Sequence, residues 1–105
     1  MTGSRPEKMK KEIMKYASLF LAEHSNRTSL ITITNVTIAP DFKRATIGIS
    51  VLPDSYESRA LSFLERRTRD MRDYIGKHLR TKMLPRFEIE IDQGEKNRQR
   101  IQSLL

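Results

Sequence analysis

Apolar residues recur every three or four positions over the first part of the chain, which predicts an amphipathic helix over residues 5–24. Ser4 and Glu7 stand where a capping box would close the first turn of this helix. The apolar stripe consists of Met9, Ile13, Tyr16, Ala17, Phe20 and His24.

After Ser29 the pattern changes to that of β-strands. Residues 29–38, SLITITNVTI, are rich in β-branched side chains, and residues 44–52, RATIGISVL, alternate between apolar and other positions. The intervening APDFK is typical of a turn, because Pro40 fixes φ and Asp41 can bond local amides. An antiparallel hairpin is therefore predicted. The alternation of RFEIEID, from residue 86 to residue 92, predicts a third strand.

Two more helices are predicted between the hairpin and the third strand. Asp54 and Glu57 resemble a second capping box, and the helix behind them runs to about residue 66. The next helix spans about 70–83 and stops before Pro85, because a residue that precedes proline avoids the α region. We expect a break at residues 67–69, since the apolar stripes on both sides of it must reach the same sheet.

These elements predict one α+β domain over residues 1–105, in the order α-β-β-α-α-β. Its helices should pack on one face of a three-stranded sheet. Residues 1–3 should fray, and residues 93–105 form either a mobile tail or a short docked helix. The predicted core contains Phe20, Ile33, Ile47, Ile49, Leu79, Phe87 and Ile89.

Positive charge is concentrated in one segment. The chain of 105 residues carries a net charge of +7, and residues 66–85, RRTRDMRDYIGKHLRTKMLP, contain seven Arg or Lys residues and two Asp. On a helical wheel Met71, Tyr74, Ile75, His78 and Leu79 gather on one side, and Arg69, Arg72, Gly76, Lys77 and Arg80 on the other. This stripe favours contact with a polyanion over a face that only keeps the protein soluble, because Arg suits phosphate. Gly76 has three alternative interpretations. It lets the phosphate backbone of a nucleic acid approach the helix closely, it makes a packing contact, or it marks a kink in the helix.

Catalytic and metal-binding patterns are missing from the sequence. His24 and His78 both lie on apolar stripes, which favours packing, and no nucleophile–base pair or phosphate-binding glycine loop occurs. Glu88, Glu90 and Asp92 are interpreted as a charged strand face rather than a Mg²⁺ site. We therefore expect no enzymatic activity, cofactor, metal or small-molecule substrate. Base stacking should be minor, because the outward strand positions are Thr, Ser and Arg.

The chain has no cysteine, which fits a reducing compartment, and no apolar run of the roughly 20 residues that span a bilayer. A cytoplasmic protein with no membrane partner is expected.

Several segments together resemble the ribosome-binding factor A family, the bacterial factors for maturation of the small ribosomal subunit. They are RPEKMKKEI, LITITNVTIAPDFKRATIGISV, MRDYIGKHLRTKMLPRFEIEID and RIQSLL. The resemblance implies a K-homology-like fold of type II without the G-x-x-G loop. This chain departs from the family at residues 67–69, where an Ala-x-Gly kink is usual, at residues 25–27, where Asp-Pro-Arg is common, and in its short tail.

The resemblance implies a monomeric, non-enzymatic assembly factor that binds the free, immature 30S subunit through 16S ribosomal RNA and aids late maturation and rRNA processing. The alternative is a general nucleic-acid-binding domain, either an RNA chaperone or a DNA-binding protein. The candidate RNA contacts are Arg67, Arg69, Arg72, Gly76, Lys77, Arg80 and Lys82, followed by Lys8, Lys11, Lys43 and Arg44. Phosphates should be their main targets.

Overall fold

The computed structural model describes residues 5–24, 29–79 and 83–104. Its elements are helix α1 (Arg5–His24), strands β1 (Leu30–Ile38) and β2 (Arg44–Leu52), a 3₁₀ turn (Asp54–Tyr56), helix α2 (Glu57–His78), strand β3 (Arg86–Ile91) and helix α3 (Gln93–Leu104). The first helix and the three strands lie where the sequence predicts them. The predicted order also fits along the chain, with the two helices predicted after the hairpin joined into α2. Ser4 of the first predicted capping box lies outside the described residues.

The three strands form one sheet in the order β1-β2-β3, with β1 antiparallel and β3 parallel to β2. A β-bulge at Thr34 shifts the register between Ile33 and Asn35. The bulge explains why the apolar residues of β1 change phase in the sequence. Ile33 and Val36 are both buried although they are three positions apart, because the extra residue returns Val36 to the inner face.

Helices α1 and α2 pack on one face of this sheet, as predicted. The core joins Ile13, Ala17 and Phe20 of α1 with the inner face of β2, where Ile47 and Ile49 are fully buried. Six residues of the predicted core are buried: Phe20, Ile33, Ile47, Ile49, Leu79 and Phe87. The seventh, Ile89, is partly buried and packs against them.

Helix α2 is continuous, so the predicted break at residues 67–69 is wrong. The buried residues of α2 are Ala60, Leu64, Met71 and Ile75, which are separated by four, seven and four positions. This spacing keeps them on one side of a straight helix, so both stripes reach the sheet without a bend. Within the predicted break, the Thr68 hydroxyl donates to the carbonyl of Leu64 at 2.8 Å, inside the regular helix.

Both ends of α2 also differ from the prediction. No side-chain cap forms at its start, where Asp54 belongs to the 3₁₀ turn and the Glu57 carboxylate instead accepts a hydrogen bond from Lys96 of α3 at 3.0 Å. The helix ends at His78 rather than at residue 83. Leu79 is already extended, although its amide still donates to the carbonyl of Ile75.

The C-terminal segment, for which the sequence left a mobile tail and a short docked helix as alternatives, forms helix α3. Asp92 ends β3 and caps α3, since its Oδ1 accepts the amide of Glu95 at 3.0 Å. None of the described residues of α3 is buried, and Ile101 and Leu104 are exposed. In the described part of α3, polar contacts of the first turn therefore attach the helix to the body of the domain.

Candidate nucleic-acid interface

The outward face of α2 carries a stripe of exposed cations. Arg59, Arg66, Arg69 and Lys77 fall within about 80° of one another at 3.6 residues per turn. None of the four forms an ion pair with a described residue, although Asp73 lies on the same face. We call these four residues the outer stripe. Arg69 and Lys77 were predicted from the sequence as RNA contacts, whereas Arg59 and Arg66 were not. The seven-residue spacing of Arg59 and Arg66, close to two helical turns, is the signal that could have placed them on one face.

Arg67 lies beside the outer stripe and does not belong to it. Its guanidinium lies over the Phe63 ring, 5.6 Å from the centroid, and contacts Asp70 at 3.6 Å. An exposed ion pair of this kind is worth about 0–1 kcal/mol and partly compensates the charge. Arg67 is therefore on the side of α2 that carries Phe63, apart from the other predicted contacts.

Arg72 binds the protein's own backbone. Its Nε donates to the carbonyl of Pro85 at 3.3 Å, and its Nη2 donates to the carbonyl of Leu84 at 3.1 Å. The side chain is still exposed, but two of its donors hold the segment that leads from α2 into β3. The sequence could not show this, because the contact joins residues twelve and thirteen positions apart.

Gly76 lies under the same segment. A Cβ at this position would come within 3.0 Å of Leu84 Cδ1. Of the alternatives that the sequence left open, a packing contact therefore has a direct structural basis, whereas α2 shows no kink there. Close approach of a phosphate at Gly76 stays a prediction.

A second group of cations gathers where β2 and β3 begin. Arg44 and Arg86 are direct neighbours in the parallel ladder, and the amide of Arg86 donates to the carbonyl of Lys43 at 2.9 Å. Ala45 and Phe87, which follow them, are buried against the helices, so Arg44 and Arg86 both project from the helix-free face. We call Lys43, Arg44 and Arg86 the basic end. Arg86 was not predicted, because only strand pairing places it beside Arg44.

Residues 84–85 lead from α2 into β3, although the outer stripe faces away from the sheet and Arg44 and Arg86 project from its helix-free face. Arg72 holds the carbonyl that directly precedes Arg86, and Gly76 beneath Leu84 is the neighbour of Lys77. The first turns of α1 lie at the same end of the sheet, where Pro6, Glu7 and Lys10 line a cleft with residues 36–38. Lys8 and Lys11 are exposed on α1, as predicted. Arg80 and Lys82 lie outside the described residues.

The two histidines do not fill the core. His78 stacks on Tyr16 with ring centroids 4.6 Å apart and also contacts Tyr74, while His24 packs against Phe20. Both imidazoles are exposed at the seam between α1 and α2.

The acidic residues of β3 divide into two kinds. Glu88 and Glu90 are exposed, whereas the Asp92 carboxylate is occupied by hydrogen bonds, which lower its pKa. The largest contribution comes from the Thr34 hydroxyl and the next from the Glu95 amide. The described residues contain no group of three His, Cys, Asp or Glu side chains that could hold a metal ion. Among the described helices, none is both long and apolar enough to cross a bilayer.

The helix layer, the three-stranded sheet and the order of elements define a K-homology-like α+β domain, and the sequence contains no G-x-x-G loop. The chain belongs to the ribosome-binding factor A family, whose profile matches residues 5–105. A relative of that name from Natranaerobius thermophilus is 28% identical over 108 residues, covering 100% of this chain and 82% of the relative.

Solved structures show the same fold. The solution structure of a putative ribosome binding factor A from Thermotoga maritima has a TM-score of 0.75 at 22% identity and covers 90% of this chain and 92% of that one. A homology model of the Thermus thermophilus ribosome binding factor A, fitted into a cryo-EM map of a 30S complex, has a TM-score of 0.70 at 18% identity. It covers 80% of this chain and 91% of that one.

Proposed function

We propose that this protein binds the immature 30S subunit through 16S ribosomal RNA and aids late maturation and rRNA processing. It acts in the cytoplasm as a monomeric assembly factor, without catalysis, a cofactor or a membrane partner. Membership of the ribosome-binding factor A family supports the ribosomal role. The Thermus thermophilus relative, which is described in a complex with the 30S subunit, supports the choice of particle.

One observation carries the proposed RNA contact: two groups of exposed cations, the outer stripe and the basic end, form no ion pair with a described residue. The outer stripe lies on α2, and the basic end lies where β2 and β3 begin. A cation without an ion-pair partner can neutralise a phosphate without first breaking an ion pair. Phosphate neutralisation releases condensed counterions, which makes the affinity dependent on salt.

The proposed contact predicts the salt dependence of binding to purified immature 30S subunits, measured by co-sedimentation. Four phosphate contacts from the outer stripe would give a slope of log affinity against log salt of roughly −3 to −4. The double variant Arg69→Gln/Lys77→Gln should weaken binding and flatten the slope by about 1.4–1.8, since each contact contributes about 0.7–0.9. Gln preserves helix propensity, so the fold should be maintained.

Arg100→Gln is the matched control, because Arg100 is exposed on α3 and forms no ion pair with a described residue. This variant should bind like the wild-type protein with an unchanged slope. The proposal fails if the double variant and the control bind equally well. Equal competition by duplex DNA would instead indicate the alternative, a general nucleic-acid-binding domain.

The maturation role has its own test. Cells depleted of the protein should accumulate 16S rRNA precursors in free small subunits, and the double variant should restore processing less well than Arg100→Gln. Normal processing in depleted cells would contradict this part of the proposal, whatever the binding result.

A further inference from the structure

Phe42 has a backbone conformation that phenylalanine rarely adopts. In the turn between β1 and β2 its φ is 62°, the only positive φ of a non-glycine residue among the described residues. The turn is tightly bonded: the Phe42 amide donates to the carbonyl of Ala39 at 2.9 Å, and the Lys43 amide donates to Asp41 Oδ1 at 3.0 Å. Left-handed positions favour Gly or Asn, because a Cβ crowds the following carbonyl at a cost of about 1–2 kcal/mol.

The Phe42 side chain lies outside the hydrophobic core. Phe20 and Phe87 are buried in the core, and Phe63 packs against it. Phe42 is 37% exposed and does not belong to this cluster, and among the described residues no aromatic ring or cation stacks on it. The turn therefore holds an aromatic ring outside the core in a strained conformation, which is more often found at functional sites than elsewhere.

Cations follow Phe42 in the sequence and at the start of the paired strands. Lys43 and Arg44 follow Phe42 directly, and strand pairing places Arg86 beside Arg44. All three are exposed, and none forms an ion pair with a described residue. An exposed ring beside unpaired cations is the combination that binds single-stranded nucleic acid, in which phosphates meet the cations and a base stacks on the ring.

We propose that Phe42 stacks on an unpaired base of the bound RNA, while the basic end holds the neighbouring phosphates. This inference rests on the proposed RNA-binding function and adds a base contact to it. The outward strand positions, which are Thr, Ser and Arg, gave no sign of stacking, because the ring lies in the turn and not on the sheet. Loops, bulges and ends of RNA supply such bases.

The test compares two fluorescein-labelled RNA hexamers with the same number of phosphates, one fully abasic and one that carries a single adenine. Stacking of one base contributes about 1–3 kcal/mol, so the wild-type protein should bind the adenine hexamer about 5- to 150-fold more tightly by fluorescence anisotropy. Phe42→Asn should abolish this preference without changing the affinity for the abasic hexamer. Asn tolerates the left-handed conformation, so the unfolding midpoint should stay equal or rise.

Two further variants separate stacking from packing. Phe42→Trp should retain the preference, because it keeps an aromatic ring in the turn. Phe63→Leu removes a phenylalanine ring that packs against the core and should also retain it. If Phe42→Asn is destabilised and also loses the preference for the adenine hexamer, Phe42→Trp decides the outcome. A preference in Phe42→Trp supports stacking, and its absence in Phe42→Trp overturns stacking.

Three results overturn the inference. They are equal binding of both hexamers by the wild-type protein, retention of the preference in Phe42→Asn, and weaker co-sedimentation of Phe42→Asn with 30S subunits without any preference between the hexamers. The last result would show that the ring contacts the subunit in another way than by base stacking. If the wild-type protein shows no preference between the hexamers, the stacking inference fails but the proposed function does not. The Arg69→Gln/Lys77→Gln variant tests that function separately, on whole subunits.

Discussion

Replacement of Thr34 by Val should release a contact that spans the sheet. The Thr34 hydroxyl lies 2.6 Å from Asp92 Oδ2 and 3.2 Å from the carbonyl of Gly48, and its single proton serves the shorter contact. The Asp92 side chain crosses β2 at Gly48, where a Cβ would lie 3.5 Å from Asp92 Cβ. The same carboxylate caps α3 through the amide of Glu95. One side chain thus connects the bulge of β1, the end of β3 and the start of α3.

The size of the effect follows from these contacts. A hydrogen bond to a charged group contributes about 1.5–3 kcal/mol, and partial exposure of Asp92 to water reduces this, so Thr34→Val should lower the free energy of unfolding by about 1–2 kcal/mol. Asp92→Ala also removes the cap of α3, which is worth about 0.5–2 kcal/mol. The second variant should therefore be the less stable of the two.

The contact also predicts a dependence on pH. The Thr34 hydroxyl and the Glu95 amide hold the pKa of Asp92 below its ordinary value. A carboxylate with a lowered folded-state pKa stabilises the protein above its unfolded pKa, and this stabilisation is lost as the pH falls through the folded pKa. The contribution of Asp92 should be complete above about pH 5 and decline below about pH 4. In Thr34→Val the unfolding free energy should therefore change less between pH 5 and more acidic pH than it does in the wild-type protein.

Urea unfolding at a series of pH values measures both effects. Thr32→Val is the matched control, because Thr32 is exposed on the same strand and its hydroxyl forms no hydrogen bond with a described residue. The reasoning would be refuted if Thr34→Val and Thr32→Val had the same unfolding free energy at pH 7 and the same acid profile.

Three further variants test the core and the segment before β3. Ile49→Ala should cost about 2–5 kcal/mol in urea unfolding, because Ile49 is fully buried, and a loss of a few tenths would contradict its place in the core. Arg72→Gln should lower the free energy of unfolding by about 1 kcal/mol, because its hydrogen bonds to backbone carbonyls are lost. The control Arg69→Gln should stay within about 0.5 kcal/mol of the wild-type protein. Equal unfolding free energies of the two variants would show that Arg72 does not hold residues 84–85. Gly76→Leu should displace Leu84 at a cost of about 1–3 kcal/mol, of which the higher helix propensity of Leu offsets about 1 kcal/mol. A higher melting temperature in Gly76→Leu would contradict the packing contact.

The predicted break in α2 shows where reasoning from sequence went too far. It assumed that two apolar stripes on successive segments need a bend to reach one sheet. Leu64 and Met71 are seven positions apart, close to two full helical turns, so they already share one face of a straight helix. Nothing between them interrupts the hydrogen bonds of the helix. The Arg-Thr-Arg sequence at residues 67–69 continues the helix, as nothing local to it requires a bend.

The pattern of apolar residues by itself determined the first helix, the three strands, the hairpin and most of the core, because helical and strand periods express burial directly in the sequence. The excess of Arg and Lys in residues 66–85 likewise predicted a cationic surface. Only the tertiary structure decided how the cations divide. Arg72 binds carbonyls twelve and thirteen positions away, and Arg86 meets Arg44 across a parallel ladder. Such contacts depend on which segments pack together, and local spacing carries no record of that.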